Sequence, residues 1–294
     1  MRRTTTDQAT LAAFAVAALL AGGNAVGVRF SNRELDPLWG AALRFGAASI
    51  VLFVLMAVLR LSLPRGRALR GAVLFGALNF GVTSALVYYA LVRLHAGIGQ
   101  TILALVPLAT LLLAVSQGLE RFRPAAALGT VLAAAGVALV SGATPSGSVP
   151  APSFLALLGG MLSFAQATVL VRRLPRLHPV TMNAVGMGAA SVLLLAGSLA
   201  AGDTRHLPDR AATWWALAYL VVAGSVLTFV LFLFVVHRWS ASRAAYVFVV
   251  IPVVTLVLSA WLDDEPLTAS LLMGTPLILA GVYLGALRKP RPHA

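Results

Sequence analysis

The sequence predicts an all-α integral membrane protein with ten transmembrane helices arranged as two inverted five-helix repeats. Three observations lead to this prediction. Of the 294 residues, 60% are hydrophobic and only 11% are charged, with a mean hydropathy of +0.91, whereas about 25% of the residues in a soluble domain are charged. Ten apolar runs of about 20 residues, the length that crosses a bilayer, follow one another along the chain. The two halves of the chain also match each other at a fixed offset.

The ten runs leave no stretch long enough for a soluble domain. They define spans 1 to 10, at residues 10–28, 38–59, 71–92, 96–118, 124–141, 153–171, 179–201, 212–236, 243–262 and 267–287. The first run also has features of a cleavable signal peptide, since Arg2 and Arg3 precede it and small residues follow at 22–25. Cleavage would leave nine spans and break the repeat, so we expect this run to remain as span 1.

The positive charge predicts the orientation of the chain. The formal net charge is +13, and the basic residues form short clusters between the apolar runs. Sixteen of the 22 Lys and Arg residues lie at one set of span ends and five at the other. The richer side is expected to be cytoplasmic, which places both termini in the cytoplasm and the protein in the cytoplasmic (inner) membrane. Partners are then the lipid bilayer and a small-molecule substrate, with no nucleic acid.

An offset of 145 residues aligns the two halves without a gap. It pairs Thr83 with Thr228, Pro107 with Pro252, Glu120 with Glu265, Gly129 with Gly274 and Gly136 with Gly281. A shorter offset of 142 pairs Asn24 with Gln166. Because each half has five spans, the second half enters the membrane upside down. Halves of opposite topology are typical of alternating-access transporters, whose substrate site lies between the halves.

Short motifs recur at corresponding places in both halves. The first half has Gly22-Gly23-Asn24, Leu43-Arg44-Phe45, Pro107, and Glu120 followed by Gly129 and Gly136; the second has Pro252, Glu265-Pro266-Leu267-Thr268, Gly274 and Ala280-Gly281-Val282. Over residues 10–142 and 153–287, each half resembles the EamA domain of the drug/metabolite transporter superfamily. Two places depart from the family pattern. The family usually has Trp-Gly before the Asn of span 1, where this chain has Ala21-Gly22-Gly23, and the Leu-Arg-Phe motif has no Arg in the second half, where Gly186 falls opposite Arg44. The resemblance implies a secondary transporter, often an exporter of amino acids or other small metabolites.

Polar side chains within the apolar runs are the candidate substrate-binding residues. They are Asn24, Arg44, Asn79, Tyr88, Gln100, Gln166 and Asn183. Amides are costly in hydrocarbon, so they should point inward, either bonding neighbouring helices or lining a polar pocket. We expect Asn24, Asn79 and Gln166 to face one central space. For Arg44, snorkelling to the interface and a bundle-facing position both remain open. Tyr88, Tyr89 and Tyr246 either line the cavity or belong to an aromatic belt.

Other residues carry structural predictions. Pro107 and Pro252 lie mid-span at equivalent points, where they should kink spans 4 and 9 and act as hinges. Glu120 and Glu265 precede spans 5 and 10 and are expected to favour the dipoles of those helices. Gly281 and Gly285 form a GxxxG pair, which favours internal packing and leaves a homodimer open.

Several functions have no support in the sequence. It has no Cys, no P-loop, no HExxH, no GxSxG and no His/Asp cluster with metal-ligand spacing, so neither an enzyme nor a cofactor or metal site is predicted. No Asp or Glu lies within a span, which makes a carboxylate proton relay unexpected. A nucleotide-sugar or sugar-phosphate exchanger would need several intramembrane basic residues, and only Arg44 is present. A membrane scaffold, the alternative from another class, would have a packed centre without a polar cavity.

Overall fold

The computed structural model describes residues 2–120, 124–141, 150–228, 231, 234–235 and 247–284. Six helices in this part of the chain are long and apolar enough to cross a membrane, and four further apolar helices are shorter. Each of them falls on one of the ten predicted spans, which confirms the all-α prediction. His237 and Tyr246, the second glycine of the Gly281/Gly285 pair and the ends of both predicted repeats lie outside the described residues.

Over their described residues, seven spans each have one continuous α-helix. They are span 1 (Arg2–Ser31), span 2 (Pro37–Val58), span 5 (Pro124–Ser141), span 6 (Ala151–Val171), span 7 (Pro179–Ala201), span 9 (Val247–Leu262) and span 10 (Ala269–Val282). Local sequence sets their ends: Pro37 and Pro179 occupy first helical positions, where a missing N–H costs nothing. Gly202 adopts a φ of 75° to end span 7.

Three spans are interrupted. Span 3 consists of Gly66–Gly76, a π-helical segment at Ala77–Val82, and Thr83–Leu91. Span 4 consists of Ala96–Leu103 and Val106–Ser116. The described part of span 8 consists of Ala211–Ala218 and a second π-helical segment at Tyr219–Leu227, with Thr228 beyond it. The two π-helical segments occupy equivalent places in the two halves at the 145-residue offset.

Contacts between spans follow the pseudo-symmetry of the repeat. Span 2 packs on span 7, and span 5 on span 10; the contacts of span 1 with spans 8 and 9 are matched by those of span 6 with spans 3 and 4. The interface of spans 2 and 7 is reciprocal. Ser49 Oγ donates to the Ala184 carbonyl and Ser191 Oγ to the Ala42 carbonyl, both at 2.9 Å. Both pairs are related by the 142-residue offset, so the pseudo-two-fold axis passes between these helices.

Glycines allow the closest helix contacts. A Cβ at Gly76 in span 3 would lie 2.1 Å from the carbonyl oxygen of Gly186 in span 7. A Cβ at Gly281 in span 10 would lie 2.5 Å from the Gly129 carbonyl oxygen in span 5. Gly281 is therefore engaged within the chain. Spans 5 and 10 form a pair at the edge of the bundle, and the other eight spans surround its centre.

Candidate functional site

A cavity of about 380 Å³ lies at the centre of the bundle. Its walls come from spans 1 to 4 of the first half and spans 6 to 9 of the second, and no described residue of spans 5 and 10 lines it. Six of the seven predicted site residues line it: Asn24, Arg44, Asn79, Tyr88, Gln100 and Asn183. Four further polar residues line it that were not predicted as site residues, namely Thr83, Ser84, Ser225 and Thr228.

Arg44 points into the bundle and is only 8% exposed, which excludes snorkelling. Its Nη2 donates to Asn24 Oδ1 at 2.9 Å and its Nε to Ser225 Oγ at 3.3 Å. Its guanidinium carbon also lies 5.0 Å from the Phe45 ring centre. Within the described residues, no ion pair includes Arg44. The partners of this cation are therefore neutral dipoles.

Arg44 occupies a position whose counterpart in the second half is Gly186. Gly186 lets spans 7 and 3 meet backbone to backbone at Gly76. At the related crossing of spans 2 and 8, Arg44 instead reaches Ser225 of span 8. The departure from perfect repetition at this position thus places a guanidinium where the other half has a close helix contact.

Asn24 positions the guanidinium from span 1. Its Nδ2 donates to the Gly224 carbonyl at 3.2 Å, which leaves Oδ1 to accept from Arg44. A Cβ at residue 224 would lie 2.1 Å from Asn24 Oδ1, so this contact requires glycine there. Gly224 belongs to the π-helical segment of span 8. Three spans of the two halves therefore fix one charged group.

Tyr88 is the largest fully buried side chain of the cavity wall, with 1% exposure. Its hydroxyl has no hydrogen-bond partner among the described residues. Asn79 and Gln100 also line the cavity, and no described residue hydrogen-bonds to either side chain. Asn183 Nδ2 donates to the carbonyl of Pro179 in its own helix at 2.9 Å. The wall thus keeps unused hydrogen-bonding groups.

Hydroxyl groups stabilise the two π-helical segments. Thr83 Oγ1 donates to the Leu78 carbonyl at 2.9 Å, and Thr228 Oγ1 donates to the Ala223 carbonyl at 2.7 Å. The two bonds correspond residue for residue at the 145-residue offset. The wider π-helical turn leaves backbone groups imperfectly paired, and π-helical turns occur frequently at functional sites. The two threonines align in the sequence, but the sequence did not predict the π-helical turns beside them.

Gln166 requires a correction, because it does not line the central cavity. Its Oε1 accepts a hydrogen bond from Gln117 Nε2 at 2.8 Å, at the end of span 4. The amide is thus satisfied between two helices. Hydropathy shows that an amide lies within a span, but it does not show the direction in which the amide points.

A cluster of charged groups ties one end of the bundle together, and we call this the Glu265 end. Arg29 Nε in span 1 lies 2.6 Å from Asp263 Oδ2 and 3.0 Å from Glu265 Oε1. Glu265 also accepts from the Ala96 and Gly97 N–H groups, at 2.6 and 3.2 Å, and so caps span 4. The expectation that it acts on the dipole of span 10 is corrected, because its carboxylate points to the start of a different helix.

Opposing effects set the pKa of Glu265. Burial by itself would raise it, since the carboxylate is 3% exposed. His95, whose Nδ1 lies 3.5 Å away, the two backbone N–H donors and Arg29 outweigh burial and hold the pKa below its usual value. Glu265 is therefore a carboxylate at neutral pH.

Glu34 performs a similar role for span 8 at the same end. It accepts from the Asp209 and Arg210 N–H groups and from the Thr213 hydroxyl, and the Thr213 bond is the main reason that its pKa lies below the usual value. The structure brings Glu34, His206 and Asp209 within 4.8 Å of one another, a grouping of metal-ligand types that the sequence spacing did not predict. Both Glu34 oxygens already accept hydrogen bonds, so we interpret the grouping as a helix cap.

The opposite end, which we call the Glu120 end, has a related ion pair. Arg172, at the end of span 6, donates to Glu120 after span 4. Both side chains are partly exposed, at 48% and 31%. Arg172 and Arg29 each close the first helix of their half. The repeat therefore places an arginine–glutamate pair at each end of the bundle.

The two prolines differ in their local structure. Span 4 is interrupted at residues 104–105, and Pro107 follows as the second residue of Val106–Ser116. Span 9 is described as one helix with Pro252 inside it. Thr255 Oγ1, one turn later, donates to the Ile251 carbonyl at 3.1 Å and to the Gly22 carbonyl of span 1 at 2.6 Å. A hinge role for either proline remains a prediction.

An apolar helical bundle with a polar cavity between two repeats defines a multi-pass membrane protein built for transport. The pattern of the EamA-like transporter family matches residues 8–142 and 151–286, and the chain belongs to this family. The resemblance stated from the sequence is thereby confirmed.

Two relatives of this chain are themselves named only as uncharacterized transporters. The uncharacterized inner membrane transporter YedA of Escherichia coli K12 is 28% identical over 264 residues, which are 89% of this chain and 85% of YedA. An uncharacterized transporter of Archaeoglobus fulgidus is 24% identical over 87% of this chain and 91% of its own length. One solved crystal structure has a TM-score of 0.68 at 18% identity, covering 95% of this chain and 97% of that one, which shows a shared fold.

Proposed function

We propose that this protein is a secondary transporter that moves small metabolites across the cytoplasmic membrane by alternating access. In this proposal both termini are cytoplasmic, the Glu265 end is extracytoplasmic, and net transport is outward. Amino acids and related compounds are the substrate range that the family resemblance implies. The names of these relatives identify no substrate, whereas the cavity wall has a defined chemical composition.

The single observation that carries the proposal is the composition of the cavity wall. Four spans of each half enclose a cavity of about 380 Å³, which lies within the usual range for small-molecule sites. In inverted-repeat transporters, the substrate lies at the interface of the repeats, and rocking of one set of helices against the other opens it to each side in turn. Wall residues from both halves are what this mechanism requires.

The contacts at the Glu265 end support the assignment of a conformational state. Arg29, Asp263 and Glu265 join spans 1, 4 and 9, while Glu34 joins the loop after span 1 to the start of span 8. We assign this arrangement as closed at the Glu265 end. Transport then requires these contacts to break while the Glu120 end closes.

The alternatives fit the described residues less well. A nucleotide-sugar or sugar-phosphate exchanger needs several cationic groups to bind phosphate. Among the described lining residues, Arg44 is the single basic one. A scaffold without transport has no use for a polar cavity enclosed by both repeats.

Reconstitution into liposomes tests the proposal. We expect the purified protein to exchange at least one member of a panel of labelled amino acids, small carboxylates and cationic dyes. Ser84→Phe, which fills the cavity, should abolish the flux. The matched control is Val54→Phe, because Val54 is 59% exposed on the outer surface of span 2 and should tolerate the same added volume. Absence of flux for every panel member, or equal flux through both variants, would contradict the proposal.

A further inference from the structure

We infer that the cavity recognises a substrate through one carboxylate, or another singly charged oxyanion, bound between the Arg44 guanidinium and the Tyr88 hydroxyl. This inference rests on the proposed function and narrows its substrates to anions whose charge is not balanced by an ammonium group, so that carboxylates related to amino acids are favoured over the amino acids themselves.

Arg44 carries a positive charge inside the bundle. A guanidinium buried inside a membrane protein is costly unless an anion or several dipoles compensate it. Arg44 has two neutral partners, Asn24 and Ser225, and no ion pair with a described residue. Its third nitrogen, Nη1, makes no hydrogen bond of good geometry to a described residue, and the Tyr88 hydroxyl lies beside the guanidinium. Because Arg44 lines the cavity, that nitrogen is available to a cavity-bound anion.

The Tyr88 hydroxyl is the second group that we assign to the anion. It is buried, it belongs to the cavity wall, and it has no partner among the described residues. A ligand acceptor would recover the free energy lost by leaving a buried hydroxyl unpaired. A phenol O–H donates well to a carboxylate oxygen. The guanidinium and the phenol thus supply two donors of the kind that one carboxylate accepts.

The charged groups among the described lining residues determine which ligand charge the cavity favours. The described lining residues include one guanidinium and no carboxylate. One cation balances a monoanion, whereas a phosphate monoester carries about two negative charges at neutral pH. The absence of a carboxylate among these residues leaves an ammonium group without a charged partner. The wall therefore favours monoanions over dianions, zwitterions and cations.

Part of the cavity wall is apolar. Phe45 and Phe80 both line the cavity, with ring centres 5.5 Å apart, and Leu91 lies on the same wall. An apolar or aromatic body attached to the carboxylate would contact these side chains. Aromatic monocarboxylates have both parts in a molecule small enough for this volume.

Equilibrium binding to purified protein in nanodiscs tests this site independently of transport. Radiolabelled benzoate is the probe, with unlabelled benzenesulfonate, benzamide, phenylalanine and benzylamine as competitors of similar size. We expect benzenesulfonate to compete at least about tenfold better than neutral benzamide, zwitterionic phenylalanine or cationic benzylamine. Wild-type protein that shows no preference for anions, or that binds none of these compounds, overturns the inference.

Variants identify the groups that hold the anion. Arg44→Gln removes the charge and should reduce benzoate binding by about tenfold or more, while Arg44→Lys should retain part of it. Tyr88→Phe should weaken benzoate binding and leave benzamide binding less affected. The control is Arg93→Gln, because Arg93 is exposed and does not line the cavity. If Arg44→Gln does not fold, as judged by gel filtration, the wild-type ranking and Tyr88→Phe decide the question.

The outcomes separate this inference from the proposed function. Anion-selective binding that depends on Arg44, together with no flux in liposomes, refutes transport and leaves the anion site standing. Flux that persists in Arg44→Gln with an unchanged substrate ranking refutes the anion site and leaves transport standing. Benzoate binding that is equal in wild type and in a folded Arg44→Gln variant also overturns the inference.

Discussion

Glu265 Oε1 lies 3.0 Å from Arg29 Nε, and this pair joins the end of span 1 to the loop before span 10. The repeat places Glu120 and Arg172 in the corresponding relation at the other end of the bundle. The two pairs differ in burial, since Glu265 is 3% exposed and Glu120 is 31% exposed. Equivalent parts of the sequence thus build a buried contact at one end and a partly solvated one at the other.

Glu265→Gln should destabilise the protein more than Glu120→Gln. The first substitution removes one of the two buried carboxylates beside Arg29, leaving Asp263, and weakens the cap on Ala96 and Gly97, at a cost of about 2 kcal/mol or more. The second removes a partly exposed pair worth about 0–1 kcal/mol. Thermal unfolding of both variants in the same detergent measures the difference. Equal shifts in Tm would mean that the buried cluster does not stabilise the fold.

Acid should weaken the Glu265 end. The folded-state pKa of Glu265 lies below its unfolded value, so its contribution is present above the unfolded pKa and is lost as the pH falls through the folded one. The wild-type advantage in Tm over Glu265→Gln should therefore be constant near neutral pH and shrink below about pH 4.5. A difference that grows as the pH is lowered would contradict the sign of this pKa shift.

Gly76→Ala should impair folding. The added Cβ would lie 2.1 Å from a backbone oxygen of Gly186, which cannot turn away as a side chain can. Overpacking typically costs about 1–3 kcal/mol, and here spans 3 and 7 must separate. Gly197→Ala is the control, because its nearest neighbour would be the Leu38 side chain at an ordinary 3.4 Å. Yield of monodisperse protein and Tm compare the two variants, and equal values would show that the helices separate at little cost.

Gly224→Ala should affect substrate binding more than stability. Its Cβ would displace the Asn24 side chain, which is free to rotate, and Arg44 would lose the acceptor for Nη2. We expect KM to rise by about tenfold, equivalent to one hydrogen bond to a charged group, with a small change in Tm. The liposome assay gives KM for the exchanged substrate. A large drop in Tm with unchanged KM would assign Asn24 to packing alone.

Pro107→Ala and Pro252→Ala should slow transport more than they lower the amount of folded protein. Each restores a backbone donor within a span, which favours a straighter, stiffer helix. The two should differ, because span 4 is already interrupted before Pro107 whereas span 9 runs through Pro252. Pro37→Ala is the control, since Pro37 occupies a first helical position. Rates per folded molecule that match wild type in both variants would rule out hinges.

The fold follows from patterns that depend only on position along the chain. Apolar runs of bilayer length located the spans, and the 145-residue offset located the repeats, because both features are periodic. The interruption of span 4 before Pro107 has a local cause of the same kind. The π-helical segment at Ala77–Val82 has no comparable signature, since its wider turns depend on the hydroxyl of Thr83 and on packing against span 6.

The site could be predicted in part. Polar groups inside apolar runs have few favourable places other than the interior, which is why Asn24, Arg44 and Asn79 line one cavity. The direction in which a side chain points depends on how the helices pack, which hydropathy does not show. Gln166 points towards Gln117 and not into the cavity. The Glu265 cluster escaped prediction because it joins loops that are far apart in sequence.

The π-helical segments have a consequence for how spans 3 and 8 can move. A π-helical turn holds more residues than an α-helical one, so each segment stores surplus chain. Each residue of an α-helix advances about 100° around the axis. Passing one surplus residue from Ala77–Val82 towards Leu91 would therefore rotate the stretch it crosses, which includes Tyr88, by roughly 100° relative to the rest of span 3. The segment at Tyr219–Leu227, which contains Ser225, allows the same change in span 8. Spans 3 and 8, which the repeat relates, thus each have a segment that permits such a rotation, next to residues of the cavity wall.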